Sequence, residues 1–210
     1  MKKILAFIFI LSTFQSWAQI PPRDYHSYTP AKQRLDGFEK RKEIIENSVV
    51  NEIKFRNVGP TVMSGRVTDI DANPADPSHF YVSYASGGLW YTESNGTAFK
   101  PLFDNEAVMT LGDIAVNWKD NIIWAGTGEN NSRRSSYSGV GMYKSTDSGK
   151  TWQHIGLEET HHISRIILHP TDPNTVWVGA IGSPWADHEE RGVFKTTDGG
   201  NTWRKVLYDG

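Results

Sequence analysis

From about Asn57 onward, apolar side chains fall in short β-branched and aromatic runs cut by Gly, Asn, Asp and Pro. Runs such as "ISRIILH", "TVWVGAI", "GVFKTT" and "TWRKVL" are six or seven residues long and read as strands between turns. Three stretches superimpose, beginning "GRVTDIDANPADP", "TLGDIAVNWKDN" and "HHISRIILHPTDP", and each reads strand, turn, strand, loop, strand, turn, strand. Two matches fix the register. "NPADPSHFYV" (73–82) overlays "HPTDPNTVWV" (169–178), and "STDSGKTW" (145–152) returns 51 residues later as "TTDGGNTW" (196–203).

A fixed period near fifty residues marks a repeat architecture, and four antiparallel strands per unit is a propeller blade. A sheet that small cannot bury its own faces, so neighbouring blades must stack on it. The expected fold is therefore all-β: a β-propeller of four-stranded antiparallel blades over residues 55–210, about three of them. Propellers typically close with ~4–8 blades. The chain is thus expected to be the N-terminal part of a longer protein, with the remaining blades as its first partners. A complete three-blade chain would have to oligomerise or expose aggregation-prone blade faces.

Ahead of the blades the pattern differs. "MKK", the apolar "ILAFIFILSTF" and the small-x-small exit at Ser16 and Ala18 read as a secretory signal over residues 1–18. The apolar run is well short of the ~20 residues of a spanning helix, so no membrane span is expected in the mature chain. An exported location follows: periplasmic, cell-surface or secreted. Residues 19–54 hold a Pro-rich extended lead and one short amphipathic helix, with Leu35, Phe38 and Ile45 at helical spacing and Gly37 as a weak point.

Composition narrows the chemistry. Without Lys2 and Lys3 the chain has 20 basic against 24 acidic residues, which does not suit a nucleic-acid footprint. The absence of Cys removes disulfides and thiolate metal sites. Neither a metal nor a cofactor is expected.

The repeated octamer is turn chemistry. Asp147 and Asp198 are placed to accept backbone N–H bonds, Gly149 and Gly200 to supply the bend, and Trp152 and Trp203 to bury a ring between layers. In the first unit, "YTESNGTAF", Ser94 and Phe99 replace the Asp and Trp while Gly96 is kept.

Blade topology then sorts the loops. The loops joining strands 1–2 and 3–4 share one pole. Those joining strands 2–3, and those between blades, share the other, and they are longer and rich in Arg, His, Glu, Asn and Trp. The candidate ligand-binding residues on that long-loop pole are Arg66, Asn130, Arg133, His161, His162, Arg165, Trp185, Glu189 and Arg191. Glu129 and Asp187 occupy equivalent loops of neighbouring blades and are the candidate catalytic carboxylates, since glycosidases use two carboxyls ~5–9.5 Å apart. Solvated loop carboxylates or ion-pair partners are the competing reading. The two histidines stand where a strand begins, so their side chains are expected on opposite faces, which does not suit one shared metal. Trp185 reads equally as a sugar platform or an inter-blade plug. Asp69, Asp113 and Arg165 recur on innermost strands and suggest a hydrated axial channel.

Ser/Thr-x-Asp-x-Gly-x-Thr-Trp resembles the Asp box of bacterial-neuraminidase-type repeats. With "FRNVGPTVMSGRVTDI", "YASGGLW", "WAGTGENN" and "THHISRIILHPTDPNTVWVGAIG", residues 55–210 resemble the exported bacterial proteins with sortilin-type N-terminal repeats, often labelled glycosyl hydrolases. Xyloglucanases are similar in their Asp-box propellers, with a catalytic Asp on each side of a cleft, but no motif carries those residues onto positions here. "FRNVGP" departs from the Phe/Tyr-Arg-Ile-Pro element of sialidases. The resemblance implies a secreted propeller binding an extracellular peptide or polysaccharide on its long-loop face. Part of a glycoside hydrolase is the alternative, and a structural surface or secretion-system component the third reading.

Overall fold

The computed structural model describes residues 28–53, 65–131 and 136–208. The proposed signal, the whole of "FRNVGP" and Arg133 lie outside the described residues. Helix α1 (Ala31–Glu46) is followed by three four-stranded antiparallel sheets. Blade one comprises β1 (Val67–Ala72), β2 (Phe80–Tyr84), β3 (Gly88–Thr92) and β4 (Lys100–Pro101). Blade two comprises β5 (Leu111–Asn117), β6 (Ile122–Thr127), β7 (Met142–Ser145) and β8 (Gln153–His154). Blade three comprises β9 (Ile163–Leu168), β10 (Val176–Ala180), β11 (Gly192–Thr196) and β12 (Arg204–Leu207). Each sheet is a simple meander, its strands paired in chain order.

The blades stack because alternate residues of blade two face opposite neighbours. Ile114, Ile123, Ala125 and Tyr143 join Tyr81, Leu89 and Phe103 of blade one in one apolar cluster. Ala115, Trp124 and Met142 join Ile163, Ile166, Val176, Val178 and Phe194 of blade three in another. Period-two alternation thus becomes two inter-blade cores.

The octamers tie each blade to the one before. Asp147 Oδ1 accepts the Thr151 N–H at 2.9 Å, its Oδ2 accepts the Thr151 hydroxyl at 2.6 Å, and Ser145 Oγ accepts the Gly149 N–H at 2.8 Å. Asp198, Thr202, Thr196 and Gly200 repeat these bonds. Those hydrogen bonds hold both carboxyls at about 2, below the usual carboxylate range. The indole of Trp152 then donates to the Leu102 carbonyl of blade one at 2.8 Å, and that of Trp203 to the Ile155 carbonyl at the end of blade two at 2.7 Å. In blade one, Ser94 Oγ accepts the Ala98 N–H at 3.0 Å, and Phe99 packs on Phe80 of its own blade.

One pair recurs at the same sheet position. Lys144 lies over the Trp124 ring at 4.7 Å, where blade three covers it: Lys144 Nζ donates to Gly199 and Trp203 packs edgewise on Trp124. Lys195 lies over Trp177 at 4.7 Å on the face of blade three turned away from blade two.

Helix α1 runs unbroken through Gly37. Leu35 packs against the core between blades one and two, but Ile45, expected in the packing stripe, is exposed. Ala31 and Arg34 reach the loops around residues 139 and 158–159, and Arg41 donates to the Glu106 carbonyl at 2.9 Å. Among the described residues no helix is long and apolar enough to cross a membrane.

Candidate functional site

Antiparallel pairing puts the β6–β7 and β10–β11 loops at one pole with the inter-blade segments, and the two Asp boxes at the other. At the long-loop pole, Glu129 follows β6 with its side chain only 1% exposed, and Arg66, just before β1, forms an ion pair with it. This pair joins blades one and two. Glu129's main chain holds the adjacent histidine: its carbonyl is 2.8 Å from His162 Nδ1. Asn130 Nδ2 donates to the Gly112 carbonyl at 2.7 Å.

His161 does not follow strand geometry. It closes a short 3₁₀ turn (Glu158–Thr160) with φ 58° and ψ −50°, a conformation that side chains with a Cβ resist. The alternation expected of "HH" therefore does not apply. Both rings are buried, with centroids 6.3 Å apart, and a third histidine that sequence reasoning missed, His188, packs 5.0 Å from His161. Only the fold reveals it: Gly182 sits at φ +70°, and a Cβ there would come 2.7 Å from His188 Nδ1. Burial, and then the charge of Arg34, push His161 down to about 3 and His162 to about 4. His188 is also lowered, chiefly by burial, against the opposing pull of Glu190 and Glu159. The imidazoles are thus neutral at neutral pH. Among the described residues no group of three or more His, Asp or Glu is arranged to hold a metal.

The other candidates divide. Arg191 braces its own loop, donating to the carbonyls of Ile181 at 2.7 Å and Ser183 at 3.0 Å. Trp185, 55% exposed, crests that loop beside the exposed Asp187 and Glu189. Glu129 is buried and committed to Arg66, whereas Asp187 is exposed, so the two carboxylates occupy different environments. Arg165 lies on β9 with its guanidinium 3.5 Å from Asp113 Oδ1. Asp113 Oδ2 accepts the Ile166 N–H at 2.6 Å, clasping blade two to blade three. Burial chiefly, with the neighbouring Asp69, raises Asp113 to about 7 against the opposing Ile166 bond and Arg165. At the turn pole, a cleft of about 660 Å³ opens among Pro74, Trp118, Lys119, His169 and Pro173.

Stacked four-stranded meanders locked by Asp boxes define the class: β-propeller blades. No protein family profile matches the chain. A probable oligoxyloglucan-reducing end-specific xyloglucanase of Neosartorya fischeri is 27% identical over 157 residues, 64% of this chain and 17% of that protein. An ancestral GH74 enzyme superposes with a TM-score of 0.56 at 21% identity, over 73% of this chain and 19% of that one. The GH74 xyloglucanase of Xanthomonas campestris gives 0.50 at 18% identity, over 70% and 22%. The chain spans about a fifth of the length of these proteins.

Proposed function

We propose that the chain is a blade array of an exported β-propeller whose long-loop face binds an extracellular peptide or polysaccharide. One observation carries the reading: the Asp147 and Asp198 carboxylates at the turn pole are satisfied within their own turns, whereas His161 Nε2 and both ring nitrogens of His188 are buried at the long-loop pole without hydrogen-bond partners. Buried polar atoms are nearly always hydrogen-bonded, so a group of unsatisfied ones calls for a partner, and a ligand is one that can supply it. Exposed Trp185, in the same β10–β11 loop as His188, offers a stacking platform. Further blades fit the same picture, because the Lys195–Trp177 pair repeats the Lys144–Trp124 pair that blade three covers.

The test is titration of peptide mixtures and xyloglucan oligosaccharides, followed by tryptophan fluorescence, with Trp185→Ala and His161→Gln as controls. Binding that either substitution weakens at least about tenfold supports the face; binding indifferent to both refutes it. A glycoside-hydrolase reading is favoured by the xyloglucanase similarity. It requires turnover by the full-length protein that disappears in Asp187→Asn or Glu129→Gln, and binding without turnover by that protein excludes it.

A further inference from the structure

The long-loop face is not bare. Tyr28, ahead of α1, wedges its ring edge-on against His161 at 4.8 Å and His188 at 4.6 Å, with interplanar angles of 86° and 83°. Three residues on, the Ala31 side chain is fully buried, and its N–H reaches both oxygens of the Glu159 carboxylate at 3.0 and 3.1 Å. Pro30, at the cap position, has no N–H and no side-chain cap, and the first turn of α1 has no acid. Glu159 supplies from another blade segment the cap that this helix lacks. Arg34 then donates to the carbonyls of Gly139 and Glu158.

We propose that residues 28–34 occupy this face as an intramolecular ligand, and that the face recognises a peptide carrying an aromatic side chain three residues before a small one at which a helix begins. This rests on the long-loop face being the binding face. What the face reads is peptide chemistry: a ring between two imidazoles, a buried methyl, and a main-chain N–H taken by a carboxylate. The receiving geometry belongs to the blades. Gly128, at φ +87°, sits where a Cβ would come 2.0 Å from the His161 carbonyl, and Gly182 makes room for the His188 ring.

The occupant is also incomplete. His161 and His188 are each 5% exposed, yet three of their ring nitrogens have no hydrogen-bond partner beside Tyr28, and Arg34 Nε has none either. An edge-on ring offers them only weak N–H···π contact. A peptide bringing a carbonyl to those nitrogens would displace the internal segment, whose advantage is its high effective concentration.

The experiment uses the full chain and a fluorescent peptide of residues 28–36. Ala31→Glu places a carboxylate in the methyl pocket against Glu159 and expels the internal segment, leaving the face intact. The peptide is expected to bind this variant at least about tenfold more tightly than wild type. A peptide with Ala in place of Tyr28 should lose about tenfold, as should wild-type peptide against Ala31→Glu combined with His188→Gln. If circular dichroism shows that Ala31→Glu misfolds, Tyr28→Ala, altered at a side chain 40% exposed, replaces it. Equal affinity for wild type and the vacated chain, or indifference to the tyrosine, overturns the inference. If the vacated face takes xyloglucan oligosaccharides but not the peptide, the binding face stands and the peptide inference falls. If it takes neither, both fall.

Discussion

Acid should loosen the N-terminal segment from the blades. His161, His162 and His188 all titrate below the ordinary histidine value, chiefly through burial. The folded state therefore binds fewer protons than the unfolded state. The stability they help secure is fully present above pH ~6.5 and is lost as pH falls through their folded values, to about 4 for His162 and about 3 for His161. The charged groups around them are Arg34 from α1, Glu158 and Glu159 from the 3₁₀ turn, Glu190 and Arg191 from the β10–β11 loop, and the Glu129–Arg66 pair. One pKa unit corresponds to about 1.4 kcal/mol, so at pH 5 an unscreened histidine costs about 2 kcal/mol. The pocket lies near solvent, and screening roughly halves this, leaving about 2 kcal/mol for His161 and His162 together. Urea midpoints at pH 7.5 and 5.0, with hydrogen exchange across α1, measure it. The loss in His161→Gln should be about 1 kcal/mol smaller than in wild type. Identical losses in the two proteins would refute the electrostatic account.

Three further outcomes follow from the packing. A Cβ on Gly112 would lie 1.8 Å from the Ile163 carbonyl and 2.5 Å from that of Gly128, so Gly112→Ala should cost about 3 kcal/mol in urea unfolding. Gly37→Ala, with nothing within 4 Å, should instead gain about 0.5–1 kcal/mol; similar effects at both sites would contradict the close approach of β5 and β9. Arg66→Ala leaves the Glu129 carboxylate buried without its counter-charge and should cost about 3 kcal/mol, at the lower end because Arg66 is 41% exposed. Adding Glu129→Gln should recover most of that loss, and no recovery would show that the pair is not what matters. Asp113 is raised to about 7, so its ionisation removes stability as pH climbs from about 4 through 7. Asp113→Asn, which can still accept the Ile166 N–H, should match wild type near pH 4 and exceed it increasingly up to pH 7 in thermal melts; a gain confined to acid would reverse the sign.

Strand runs, the 51-residue return and the proline turns led to three meanders because those signals are local: alternation, turn chemistry and a fixed period. The site was only partly legible. Arg66 and Glu129 could be assigned to one pole from topology, but their pairing across two blades depends on how the sheets stack. Arg191 looked like a ligand contact, and the carbonyls it braces are visible only once its loop is folded. His188 was missed because its packing, against His161 and Tyr28 and over Gly182, joins segments distant in sequence. The docking of α1 was out of reach, since the helix meets the blades through a buried alanine and the arginines Arg34 and Arg41 as well as through its apolar stripe.

Scaffold and site here share one physical cause. The glycines that let β5 and β9 approach, Gly112, Gly126 and Gly128, face Ile163 or the carbonyl of His161 at distances no Cβ tolerates. That approach brings the His161–His162 segment under the β6–β7 loop. There Gly139 donates to the His161 carbonyl at 2.6 Å and the Glu129 carbonyl meets His162. His161's strained backbone is thus held by main-chain contacts from blade two rather than by its own side chain, which leaves the imidazole free to face Tyr28. Substitutions that part the blades at Gly112 should therefore disturb the pocket at Tyr28, although neither residue touches the other. A site built this way is only as rigid as the seam between two blades.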